Sequence, residues 1–209
     1  MKKIYLHPLP IRIWHWANAF LIIMLILTGI HLRVPDITSF PQYSFTVALH
    51  KYLGYVLTAS FLFWLFYYLF TKGMAKHYIL NARDFKGIPK QALYYLYTYF
   101  AKGRSPFTPT PDAKFNPLQK LAYSSVMLLL MPVIIITGIL FSDILFFFRY
   151  IDMIGGLRIL DAIHVITGYC FVLYLIVHIY MSSLGKGIAT YVKSMITGYA
   201  EEPDDENKP

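Results

Sequence analysis

HVITGYCFVLYLIVHIYM, His164–Met181, carries no charged side chain and holds two histidines 14 residues apart. A membrane-crossing helix needs about 20 largely apolar residues. The apolar run around this stretch, about Ile159 to Met181, meets that length. On a helix, 14 residues fall about 40° short of whole turns and rise about 21 Å. His164 and His178 therefore project from nearly one face, at opposite depths of the span. Ionisable groups inside a bilayer are costly and usually functional, so a pair in register is a site hypothesis by default.

Three more stretches reach span length: Trp14–Leu32, Val47–Phe70 and Leu121–Phe148, the last long enough to tilt or to end in a surface turn. The 209 residues are 57% hydrophobic and only 14% charged, against about 25% charged in an ordinary soluble domain. Soluble, disordered and collagen-like classes are excluded on that ground. The single cysteine, Cys170, allows neither an internal disulfide nor a cysteine-ligated cluster. The stretch after Pro10 is too long for the apolar core of a cleavable signal peptide, so none is expected.

The net charge of +8 reads as topology and not as a nucleic-acid footprint, so no nucleic-acid partner is expected. The N-terminal segment, the loop between spans two and three and the C-terminal tail hold 15 of the 19 Lys and Arg. The opposite side keeps Arg33, Lys51, Arg149 and Arg158. Both termini are thus expected in the cytoplasm. The fold class is all-α, an integral membrane four-helix bundle with interfacial helices. Residues 1–200 form a single domain, and residues 201–209, EEPDDENKP, an acidic disordered tail. In the basic loop Thr71–Lys120, the Tyr-rich segment Ile88–Phe100 is expected to lie in the interface, as is Tyr191–Tyr199. The pieces LTGI (Leu27–Ile30) and ITGI (Ile136–Ile139) are a faint internal similarity.

Of seven histidines, four fall inside spans: His15 and His178 at the inner depth, His50 and His164 at the outer. Each depth thus offers two imidazoles on different helices. Two levels about 21 Å apart suit two stacked planar cofactors better than one small ion, and opposed imidazoles are the axial ligands of haem iron. Gly54 follows His50 by four, Gly168 follows His164 by four and Gly29 follows His15 by 14, which places them on or near those ligand faces as candidates for the room a flat macrocycle needs, or for close helix packing. His31 falls on the wrong face of span one, and His7 and His77 lie outside the spans, where solvation is expected.

RIWHWANAF with LTGI, KFNPLQKLAY leading to ITGI, and HVITGYCFVLYLIVHIYMSSLGKG together resemble the bacterial diheme b-type cytochromes of respiratory complexes. That group includes the gamma subunit of formate dehydrogenase, the type this sequence looks most similar to, and the cytochrome b subunit of nickel-iron hydrogenase. The similarity runs from Arg12 to about Gly198 and takes in IPKQALYYL. The resemblance implies two haem b groups, held by His15 with His178 and by His50 with His164. It implies a menaquinone or ubiquinone site near the opening of span three, at Asn116, Gln119 and the ligand His178, with Lys120 as neighbour. The alternative for Asn116 is a helix N-cap ahead of Pro117. Partners would be membrane lipid, quinone, and an iron-sulfur or multihaem electron-transfer subunit with its catalytic subunit, in a bacterial or archaeal cytoplasmic membrane. The acidic tail departs from the basic, aromatic ending of the formate dehydrogenase type, which leaves the partner enzyme open.

The expected function is electron carriage across the membrane between such a partner and the quinone pool. A stand-alone diheme quinone reductase is one alternative. A haem-free proton-coupled transporter is another, though the inverted repeats it would need are not evident; four depth-matched histidines argue against a passive anchor. Arg12 and Lys51 are candidates to neutralise haem propionates or to snorkel to headgroups. Asp161 either orients His164 or caps its helix.

Overall fold

The computed structural model describes residues 3–37, 42–108, 110, 113–184 and 190–201. In chain order it runs β1 (Lys3–Tyr5), α1 (Leu9–Arg33), α2 (Tyr43–Phe70), α3 (Gly73–His77) and α4 (Ala82–Leu93). Then come α5 (Pro117–Ser125), α6 (Met131–Ser142), α7 (Phe148–Met153), α8 (Leu157–Ser183), α9 (Thr190–Thr197) and β2 (Tyr199–Glu201). Four helical runs are long and apolar enough to cross a bilayer: Leu9–Arg33, Tyr43–Phe70, Pro117–Ser142 and Leu157–Ser183. The all-α, four-span reading holds.

The boundaries differ for physical reasons. The first, second and fourth helices start two to five residues before the apolar stretches, because helical hydrogen bonding continues into the polar interface. The third starts at Pro117, whose absent N–H costs nothing at the first helical position. It stops at Ser142, short of Phe148, where Asp143 Oδ1 accepts the N–H of Phe146 and turns the chain. Midway it relaxes into a π-helical turn, Val126–Leu130, just ahead of Pro132, which withdraws a donor and crowds the preceding carbonyl.

Two compact units form. The first is drawn from Ile13–Leu65 and Leu128–Tyr180. Trp64, Met131, Leu160, Thr28 and Thr46 are fully buried there, while Phe20, Leu62 and Leu173 at its helix surfaces and many like them are exposed, as suits lipid solvent. Several polar side chains in its apolar helices are satisfied internally. Trp14 Nε1–H donates to the Ser60 carbonyl at 2.9 Å, and Ser60 Oγ–H donates to Asn18 Oδ1 at 3.1 Å.

The second unit is drawn from Met1–Arg12, Phe66–Met127 and Met181–Pro209. Its α4 carries a capping box: Asn81 Oδ1 accepts from the N–H groups of Arg83 and Asp84, and Asp84 Oδ2 accepts from Asn81 N–H at 2.9 Å. The helix then widens at its aromatic end into a π-helical turn, Tyr94–Thr98, within the segment expected at the interface. The Lys120 ammonium reaches Asp84 at 2.7 Å, joining α5 to α4. Rings of Tyr68, Tyr78, His77, Phe115 and Tyr123 meet edge to face. His77 is buried, against the expectation that it is solvated, because α3 turns it into this cluster.

Antiparallel β1 and β2 pair Tyr5 with Tyr199 and Lys3 with Glu201, a small sheet the sequence reading does not contain. Gly198 takes φ +89° ahead of it, and its carbonyl accepts from the N–H groups of Leu6 and His7. Glu201 thus closes a strand, and the rest of the expected acidic tail lies outside the described residues, as does Gly185–Gly187 of the quoted span-four motif.

Candidate functional site

The four span histidines come together as two pairs. Near the start of α1 and the end of α8, the ring centres of His15 and His178 are 6.2 Å apart. His50 of α2 and His164 of α8 are 6.3 Å apart. These are the two pairs that sequence depth and the resemblance both select. Among the described residues no three His, Cys, Asp or Glu side chains converge as they would around a small ion.

The two levels are supported differently. Thr28 Oγ1 lies 2.8 Å from His50 Nδ1, and Thr137 Oγ1 lies 2.8 Å from His164 Nδ1. Each threonine is followed by a glycine that admits the ring: a Cβ on Gly29 would stand 3.4 Å from His50 Cε1, and one on Gly138 would stand 3.6 Å from His164 Cε1. Gly29 therefore serves His50, not the His15 level to which sequence spacing assigned it. Gly54 and Gly168 face open space with no atom within 4 Å, in keeping with the expected room. At the other level His15 Nδ1 is buried without a hydrogen-bond partner among the described residues, and Tyr174 stacks on His178 at 5.5 Å.

Thr28, Thr137 and Gly138 are the residues that sequence reasoning missed. Their signal was the LTGI and ITGI similarity, which reads as duplication in sequence and as two copies of one histidine support in space. Asp161 is neither a cap nor the partner of His164 Nδ1: it lies in the second turn of α8 and meets Arg33 at 3.3 Å.

Asn116 and Gln119 stand at the opening of the third span and satisfy each other. Asn116 Oδ1 accepts from Gln119 N–H at 2.9 Å, and Gln119 Oε1 accepts from Asn116 N–H at 3.2 Å. The N-cap alternative is fully realised. Asn116 Nδ2 also donates to the Tyr95 hydroxyl at 3.0 Å. Burial, then the neighbouring Tyr191, pushes the Tyr95 phenol up to about 12. Arg12 Nη1–H donates to the Thr197 carbonyl at 2.6 Å, so that donor is committed within the protein. A cavity of about 260 Å³ is lined by Tyr67, Lys72, Lys76 and Lys114 among others, and burial, then Lys76, lowers the Lys114 ammonium's pKa.

Four apolar crossings with imidazoles paired at two depths define a helical, multi-pass membrane protein of cytochrome type. The sequence profile of the prokaryotic cytochrome b561 family matches residues 6–198, and the chain belongs to that family. It is also 30% identical over 204 residues, 95% of its length and 75% of the relative's, to a protein of Escherichia coli (strain K12) named "Putative cytochrome YdhU". The chain is therefore a b561-type membrane cytochrome serving electron transfer, and b-type haem is the cofactor its family implies.

Proposed function

We propose that this chain carries two haem b groups, one at each histidine level, and moves electrons across the membrane between a protein partner and the quinone pool. The observation that carries the reading is the pair of ring-centre distances, 6.2 and 6.3 Å. Metal–imidazole bonds of about 2 Å on both sides of one iron put two ring centres about 6 Å apart. Both pairs fit that requirement. The open faces at Gly54 and Gly168 add room for a flat ring.

Bound haem supplies one-electron chemistry between ferric and ferrous iron. The rest belongs to this chain. His15 with His178, and His50 with His164, would hold the iron of a bound haem from different helices. The apolar span surfaces exclude water and keep the site in low dielectric. Thr28 and Thr137 hold the rings of His50 and His164.

Both termini in the cytoplasm, the cytoplasmic membrane as location, and a complex with an iron-sulfur or multihaem subunit complete the proposal on charge distribution and resemblance. Quinone exchange enters the same way. Asn116 and Gln119 are mutually engaged, so a quinone carbonyl would use the second amide hydrogen of Asn116.

A reduced-minus-oxidised visible spectrum with haem quantified per purified chain tests the proposal. Two b-type haems in the wild type, one in His15→Ala and one in His50→Ala, with different residual potentials, are expected. A haem-free wild type from haem-sufficient cells overturns it.

A further inference from the structure

We propose that Thr28 and Thr137 are positioning residues for the His50–His164 level: each hydroxyl takes the Nδ1–H of the facing imidazole, fixes its tautomer, and lowers the midpoint potential of that level. This rests on the reading of the four histidines as axial ligands.

The geometry is the same twice. Thr28 Oγ1–H donates to the Met24 carbonyl at 2.7 Å, and Thr137 Oγ1–H donates to the Val133 carbonyl at 2.8 Å. A hydroxyl has one proton to give. With that proton on a carbonyl, only lone pairs face the ring, so the nitrogen at 2.8 Å on the other side is the donor. An imidazole protonated at Nδ1 has its free lone pair on Nε2, which is the nitrogen left to bind metal.

Back-bonding to the carbonyl four residues earlier is not itself the signal. Thr46, Thr58, Thr71 and Thr167 do it too, as hydroxyls in apolar helices commonly do. What separates Thr28 and Thr137 is the histidine nitrogen on the second side, together with a following glycine that lets the ring approach.

A hydrogen bond from the non-ligating nitrogen raises the basicity of the ligating one. A more basic ligand favours ferric over ferrous iron and lowers the midpoint potential. Both rings of this level have such an acceptor, whereas His15 Nδ1 at the other level has none among the described residues. The chain's own hydroxyls thus lower the potential of the His50–His164 level.

The test is a redox titration of the purified full chain, read optically with haem counted, for Thr28→Val, Thr137→Val and the matching serine variants. Valine keeps the shape and removes the acceptor; serine restores it. Each valine variant is expected to keep two haems and to raise one midpoint potential. The expected size is about a tenfold change in the ferric–ferrous equilibrium, about 59 mV for a one-electron couple. The second potential stays put, and serine returns the first to the wild-type value.

The proposal is overturned by valine variants with both potentials unmoved, by both potentials moving together, or by serine failing to restore. Should a valine variant lose haem, recovery of that haem with the wild-type potential in the serine variant supports the hydroxyl role, and continued loss overturns it. Failure of the axial-ligand reading looks different: the wild type lacks two haems, or His50→Ala keeps both, and the proposal then falls with it.

Discussion

Substituting Gly29 by valine is expected to remove one haem and spare the other. A Cβ at this position already stands 3.4 Å from His50 Cε1, at the near edge of comfortable carbon–carbon contact, about 3.5–4.0 Å. Alanine is therefore accommodated with a shift of a few tenths of an ångström and both haems remain. Valine adds carbons about 1.5 Å further out. One rotamer drives a methyl group into the imidazole, and the others press on helix α1's own turn or on the ring edge. To relieve the overlap the His50 ring must retreat by about 1 Å or more, while a metal–imidazole bond near 2 Å tolerates deviations of only about 0.2 Å. Ligation at this level is lost, while the 6.2 Å pair of His15 and His178 is untouched. The assay is haem per chain with the reduced-minus-oxidised spectrum, for wild type, Gly29→Ala and Gly29→Val, in folded, monodisperse protein. Two, two and one haems are expected. Gly138→Val should repeat the loss, starting from a looser 3.6 Å. Two haems with unchanged spectra in both valine variants would refute the close-approach argument, and with it the assignment of Gly29 to the His50 level.

Asp84→Leu leaves the Lys120 ammonium buried and unpaired and opens the cap of α4, so a loss of about 3–5 kcal/mol is expected as a lowered thermal midpoint in detergent. Adding Lys120→Met should recover most of it; a single variant as stable as wild type would count against the buried pair. The Tyr95 phenol, at an ordinary 10.0 when unfolded and about 12 when folded, favours the folded state fully below pH 10 and loses that contribution as pH rises toward 12. Tyr95→Phe should blunt the alkaline loss of stability over that window, and an unchanged alkaline profile would remove Tyr95 as its source.

The spans were legible because the bilayer imposes one demand, about 20 apolar residues with every backbone group paired within the helix. The histidine pairs were legible because helical spacing turns sequence separation into depth. What escaped were features set by contacts between distant segments. Thr28 looks like any back-bonding threonine until His50 is placed against it, 22 residues on. Gly29 was assigned through a spacing of 14 along its own helix, whereas its neighbour in space belongs to another. His77 was read as solvated because five residues of helix are too few to announce a buried face, and its burial comes from Tyr68 and Phe115. The β1–β2 pair joins three-residue strands at opposite ends of the sequence, where neither strand has enough alternation to be seen.

That strand pair also sets an order of assembly. β1 leaves the ribosome before all four spans and its partner β2 after them, so their ladder cannot close until every crossing between them has been threaded. Closing so long a loop costs only slightly more than closing a shorter one. The ladder thus works as a parity check on insertion: an odd number of crossings strands the two ends on opposite sides and leaves β1 an open edge. A nascent chain with one span skipped would carry that unpaired edge, a mark by which quality control could tell it from the finished protein.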